Sequence, residues 1–383
     1  MTTVVHSARL VDDGRSEDDA WVLFADDGRV AQRGTGDGWR ALAAEETVDA
    51  AGGILTPGFI DLHGHGGGGA SFDDGPDAIR AARATHRAHG TTRALVSLVT
   101  APLSAMAVRA AAVADLVETD PDILGSHLEG PFLAPTHNGA HDEALLRDPE
   151  PAAVDALLEA GRGTVRQITI APELPGGIDA IRRITAAGSV AAVGHTGADA
   201  ALTQAAFDAG ATVLTHAFNA MPGLHHRAPG PVGAATADPR VTLEVIADGV
   251  HLDPEVVRIV FAAAPGRIAL VTDAMAAAGA PDGGYELGAL AVTVRDGVAR
   301  LDDGTIAGST LTQDAALRRA VAAGVALEHA VAALTSVPAR VVGRAADLGS
   351  LRPGYQADAV LLTRQLAVRD VWCAGTRVPA PAA

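Results

Sequence analysis

Six side chains of the types that bind metals or move protons follow short apolar runs. They are His63 and His65 in Asp-Leu-His-Gly-His, Glu129 in His-Leu-Glu-Gly-Pro-Phe, His195 in Val-Gly-His-Thr-Gly, His216 in Leu-Thr-His-Ala-Phe-Asn, and Asp273 in Leu-Val-Thr-Asp-Ala-Met. Two histidines two apart on an extended segment project from one side, roughly 6.5–7 Å apart by strand rise, so both can reach one ion. The glycine run Gly66–Gly69 behind them lets backbone approach the site closely. Glu129 closes an apolar strand, and a carboxylate there is costly to bury unless paired or metal-bound. With His195 and His216 it makes a three-ligand set that leaves positions for water and substrate. Asp273 then suits a general base. Each residue alone also fits a hydrogen-bonded core histidine or a capping carboxylate; together they argue for a site.

The elements that must position them are legible as alternation. Apolar runs at Gly58–His63, Ala94–Val99, Ser126–Glu129, Gln167–Ala171, Ala191–His195, Val213–His216, Leu243–Ala247 and Ala269–Thr272 are interleaved with Ala-rich helical segments such as Asp77–Ala88, Ser104–Glu118, Pro151–Ala160 and Asp199–Ala209. Strand–helix alternation predicts parallel βα units, and eight strands predict a closed TIM-type (β/α)8 barrel. In such barrels the C-terminal strand ends carry the chemistry, and all six residues fall there, from five strands. Both chain ends read instead as short strands between Asp-Gly turns. The expected division is therefore a β-sandwich from residues 1–56 and 343–383, with the barrel at 57–342 inserted between its halves.

Composition excludes several classes. The chain has 383 residues, 48% hydrophobic and 20% charged, so it can bury a large core. A net charge of -17 argues against nucleic-acid binding, and an anionic substrate would need a local arginine. All 29 basic residues are arginine; lysine is absent. Cys373, the single cysteine, allows neither an intrachain disulfide nor a cysteine-based zinc site. The sequence shows no signal-peptide pattern and no apolar run of membrane-spanning length, so the expected location is the cytoplasm, with no membrane partner.

Several motifs together resemble the N-acetylglucosamine-6-phosphate deacetylases of the amidohydrolase superfamily: Pro57-Gly-Phe-Ile-Asp-Leu-His-Gly-His, His127-Leu-Glu-Gly-Pro-Phe, Gly194-His-Thr-Gly-Ala, Thr215-His-Ala-Phe-Asn-Ala-Met, Ile246-Ala-Asp-Gly-Val-His, Val271-Thr-Asp-Ala-Met and Ala307-Gly-Ser-Thr-Leu. The resemblance implies metal ligation by Glu129, His195 and His216, with Asp273 as acid/base and His141 near the scissile amide. It also implies sugar contacts at Asn219 and Ala220, a phosphate site at Arg227 and His251, and further substrate-binding positions at Ala140 and Asp248. Ile306, Ala307 and Gly308 would close over the substrate. The implied cofactor is a divalent metal, zinc first, then iron, manganese or cobalt. His63 and His65 together allow a second ion, and without lysine any bridge between two ions falls to Glu129. The implied substrate is an amino-sugar phosphate, and the implied assembly a homodimer that shares its phosphate site. Two alternatives stand beside this: a hydrolase of cyclic amides or N-acyl amino acids, and a barrel that kept its fold and lost its chemistry.

Overall fold

A computed structural model of the chain describes residues 1–378. All eight expected runs form strands of one parallel sheet, in sequence order: β1 (Phe59–Asp61), β2 (Thr91–Val99), β3 (Ile123–Glu129), β4 (Val165–Ile170), β5 (Val190–Val193), β6 (Val213–Leu214), β7 (Thr242–Ile246) and β8 (Ile268–Val271). Helices α1 (Pro76–Ala88), α2 (Leu103–Thr119), α3 (Pro151–Ala160), α4 (Gly177–Ala186), α5 (Ala200–Asp208), α6 (Gly230–Ala237), α7 (Pro254–Ala263) and α8 (Gln313–Ala322) follow the strands in turn. The helix limits have local causes. Proline opens α1, α3 and α7 where no N–H is needed. The Asp199 carboxylate accepts from Leu202 N at 2.8 Å at the start of α5. In α4 the buried Gly177, Ala180, Ile181 and Ile184 form one stripe facing the strands.

The barrel closes at a seam between β8 and β1. Instead of a regular ladder there is a bridge between Gly64 and Ala274, and Asp273 N donates to His63 O at 2.8 Å. Side chains complete the closure. Thr272 Oγ1 donates to Asp61 Oδ2 at 2.6 Å, and Gln313 of α8 donates to Ile60 O at 2.9 Å.

Both chain ends join one further sheet, as their composition suggested. Ile54–Pro57 pairs antiparallel with Ala359–Leu362. The sandwich expected for the ends is realised as one hydrogen-bonded eight-stranded sheet. Strand Thr3–Asp12 links its parts, pairing with Glu46–Asp49 through its first half and with Ile54 and Leu55 further on. The sheet encloses its own core, including Phe24, Leu55, Leu361 and Trp372. Arg93 at the start of β2 pins it to the barrel through a buried bidentate pair with Asp358, at 2.6 and 2.9 Å.

One element was not anticipated. Between β8 and α8 the chain makes a three-stranded antiparallel sheet from Gly283–Leu287, Leu290–Arg295 and Val298–Arg300. Its Leu287, Val292 and Val294 pack with Val99, Ala140 and Ala307.

A candidate active site at the barrel mouth

Glu129 is the last residue of β3, whereas His63, His195, His216 and Asp273 each stand two residues beyond the end of β1, β5, β6 and β8. Three of these overhanging residues have left-handed backbones: His195 (φ 47°), His216 (φ 25°) and Asp273 (φ 47°). Such a conformation costs a non-glycine residue about 1–3 kcal/mol and persists only where surrounding contacts hold it. Here it accompanies the departure of the chain from the strand at the point where the side chains meet over the mouth.

The convergence is tight. His63 Nε2 lies 3.1 Å from His65 Nε2, and His216 Nε2 lies 3.0 Å from His195 Nε2. Glu129 Oε1 is 3.2 Å from the Nε2 atoms of His63, His195 and His216. Its Oε2 is 3.0 Å from His65 Nε2 and 3.4 Å from His141 Nε2. Asp273 Oδ1 lies 3.4 Å from His63 and 3.3 Å from His65. Ring nitrogens facing each other at such distances cannot all carry protons, and buried lone pairs turned inward suit a shared cation. His63, His65, Glu129 and Asp273 form one potential metal group, and Glu129, His141 and His195 another. Glu129 belongs to both, as a bridge must. The donor set therefore fits one or two divalent metals.

Electrostatics assign different states to the members. Burial pushes the His141 imidazole down to about 4, so it is neutral at neutral pH. Burial opposes charge on His65 too, but Asp273 and Glu129 outweigh it and raise the ring to about 9. Asp273 is likewise buried, yet the charge of His63 and the hydrogen bond with His65 keep its carboxyl ionised, below the usual range. His251 gains proton affinity despite burial because Asp248 Oδ2 lies 2.7 Å from its Nδ1.

Above this floor opens a cavity of about 430 Å³. His65, Glu129, Ala140, His141, His195, His216, Asn219, Ala220, His251, Asp273, Ile306 and Gly308 all line it, as the sequence led one to expect. Four expected residues do not. His63 lies beneath the floor, Ala307 is buried behind it, and Asp248 stands behind His251. Arg227 is exposed on the loop after β6, its Nη1 2.8 Å from His226 Nε2, and no arginine among the described residues lines the cavity. The glycine run also differs from expectation. A Cβ on Gly66 would lie 2.4 Å from Ala70 O, and one on Gly67 2.7 Å from His86 Nε2. These glycines serve packing against their own hairpin and α1, and none lines the cavity.

Sequence reasoning missed other contributors. His137 lines the cavity, and its carbonyl accepts from His195 Nδ1 at 2.9 Å, turning Nε2 inward. Val99, Met221 and Leu287 supply apolar wall. His127 packs edge-on against His63, ring centroids 4.5 Å apart, and is itself held by Ser97 and Thr169. Glu244 meets His63 from the other side of the ring, at 3.2 Å from Nδ1. A charged residue inside the apolar run Leu-Glu-Val-Ile was the available signal.

A parallel barrel with a His/Glu/Asp cluster at its C-terminal mouth defines a metal-dependent hydrolase of the amidohydrolase type. Residues 54–378 match the profile described as the amidohydrolase family, and the chain belongs to that family. The resemblance to N-acetylglucosamine-6-phosphate deacetylases read from the motifs holds over most of the chain. It is 42% identical to an N-acetylgalactosamine-6-phosphate deacetylase from Escherichia coli O157:H7, over 84% of this chain and 87% of that one. It is 37% identical to the N-acetylglucosamine-6-phosphate deacetylase of Bos taurus, over 88% of this chain and 86% of the other. The crystal structure of N-acetyl-D-glucosamine-6-phosphate deacetylase from Mycobacterium smegmatis superposes with a TM-score of 0.93 at 41% identity, covering 99% of this chain and 100% of that one.

Proposed function

We propose that this chain hydrolyses the acetamide of N-acetylglucosamine 6-phosphate, giving glucosamine 6-phosphate and acetate. The observation that carries the reading is the cluster of five histidine Nε2 atoms (His63, His65, His141, His195 and His216) with the carboxylates of Glu129 and Asp273 below a sugar-sized cavity. The relatives that share this chain's length supply the substrate class.

Glu129, His195 and His216 would hold a divalent metal, zinc before iron, manganese or cobalt, and His63 and His65 would complete a place for a second. Such an ion lowers the pKa of water toward 7 and polarises a carbonyl. Asp273, held ionised, takes a proton from the attacking water and delivers it to the amide nitrogen as the C–N bond breaks. Neutral His141 donates a hydrogen bond to the carbonyl oxygen as charge develops there. Ala140, Asn219 and Ala220 contact the sugar, and Ile306 and Gly308 border it, with Ala307 packed behind them. His251, its proton affinity raised by Asp248, faces the phosphate. Arg227, exposed here, is offered to the cavity of a second copy in a homodimer. The protein works in the cytoplasm, with a sheet domain from residues 1–56 and 343–383 and the barrel at 57–342. Among the described residues no helix is long and apolar enough to cross a membrane.

A second reading differs only at C4 of the sugar, and the 42%-identical E. coli relative favours it. Measuring kcat/KM on both N-acetylated sugar 6-phosphates and on free N-acetylglucosamine decides. The phosphate should add about ten- to a hundredfold, from the usual ~1.5–3 kcal/mol of a hydrogen bond to a charged group. Equal values for phosphorylated and free sugar would refute the phosphate reading, and a preference for the galacto epimer would select the second.

A further inference from the structure

Glu244 stands in the middle of β7 with no exposed surface and lines no part of the cavity. An ionised carboxylate inside a barrel wall is strongly unfavourable unless its oxygens are matched. Every match it has leads back to the metal cluster or braces it. Oε1 accepts from Gln167 Nε2 at 2.7 Å, which fixes the carboxylate plane. Oε2 lies 3.2 Å from His63 Nδ1 and 3.4 Å from the backbone N of His216. That backbone N belongs to a residue in the left-handed region, so the carboxylate also supports a strained turn.

The two faces of the His63 ring nitrogens are thus unequal. Nδ1 meets a carboxylate that reaches no substrate, and Nε2 meets Glu129 and His65. A neutral imidazole donates from one nitrogen and offers a lone pair from the other, and the partner of the first chooses which. His127, packed edge-on at 80°, leaves the ring little freedom to turn over.

We propose that Glu244 is a positioning residue that holds the proton of His63 on Nδ1, aims the Nε2 lone pair into the cluster, and so sets how tightly the second metal is held. The proposal rests on the two-metal reading above. It requires Glu244 to act on the His63 position more strongly than on the Glu129–His195–His216 position, which it reaches only through the longer 3.4 Å contact to His216 N.

Zinc titration of the stripped full-length protein against a competing chelator tests this. The wild type is expected to take two equivalents. E244Q is nearly isosteric and keeps an acceptor but loses the charge, and it should weaken the second equivalent about tenfold and the first by less. E244L, which removes the acceptor, should weaken it toward a hundredfold, the range usual for such outer partners. H63A should lose the same equivalent. If E244L does not fold, E244Q and H63A decide by themselves. Wild-type affinity for the second zinc in E244Q, or equal weakening of both, overturns the proposal. If the wild type takes one equivalent only, the two-metal reading falls, and the His63 Nδ1–H resonance of zinc-loaded, 15N-histidine-labelled protein decides for Glu244. A resonance shifted downfield by the carboxylate and moved in E244Q supports the positioning role. One that is absent, or unmoved in E244Q, overturns it.

Discussion

Asp273 carries its carboxylate on a left-handed backbone two residues past β8, and its oxygen sits within 3.4 Å of two ring nitrogens. Asn keeps shape and one acceptor but cannot take a proton. Asp273→Asn should therefore retain fold and metal and lose about 10²–10⁴ of turnover, the usual weight of a general base. Metal analysis beside kcat checks this; lost metal with little change in kcat would make Asp273 chiefly a ligand. His251 offers a pH test. A histidine is cationic below its pKa, and Asp248 raises that pKa above the ordinary 6.5. The cation thus persists to higher pH than on an ordinary histidine, so KM for the phosphorylated sugar should rise as pH passes that raised pKa. Asp248→Asn still accepts from Val250 N and His251 N, each at 2.8 Å, but loses the charge. Its rise in KM should come at lower pH, with the free sugar unaffected. An unmoved profile would remove His251 from the phosphate site. Residue type and spacing sufficed to find the side chains that cluster at the mouth, because few side chains bind metals. The positive φ angles that bring them together, and the carbonyl of His137 behind His195, leave no trace in residue type.

At the level of elements, alternation identified every barrel strand, because parallel strands covered on both faces must be apolar throughout. It did not show that four of the five site-bearing strands stop two residues short of the site. Nor did it show the sheet from Gly283 to Arg300, whose short, half-exposed strands between glycine turns resemble loop. The seam makes its own prediction. Burial pushes Asp61 up to about 6 from 3.8, against the hydrogen bond from Thr272. With the folded pKa above the unfolded one, this group's contribution to stability is fully present below about 3.8 and is lost as pH rises through about 6. Thr272→Val removes a donor to the ionised form. Its cost, about 1–3 kcal/mol, should be complete above pH 6 and shrink below it. Urea denaturation of the metal-free protein at pH 5 and pH 8 measures the difference. An equal cost at both would assign Thr272 a packing role.

For the whole molecule, the net charge of -17 opposes a phosphate dianion, and the cavity of one chain has no arginine among its described lining residues. Arg227 lies exposed beside Leu224, which is 56% exposed and stands on the same loop. If a second copy inserts this loop, Arg227→Ala should raise KM for the phosphorylated sugar about ten- to a hundredfold. Mixing it with Asp273→Asn under subunit exchange should restore activity in part, since each mixed pair holds one site with both native residues. Verified mixed dimers that keep the raised KM of Arg227→Ala would confine Arg227 to its own subunit.

The joining of both chain ends in one sheet bears on how the molecule is made. Ile54–Pro57 leaves the ribosome early, and its partner Ala359–Leu362 follows roughly 300 residues later, a wait of about 15–60 s at 5–20 residues per second. Until then the nascent N-terminal strands present an open edge to any passing strand, a known invitation to misassembly. A nascent chain halted before Ala359 should therefore depend on chaperones in proportion to the time it waits, whatever the state of its barrel.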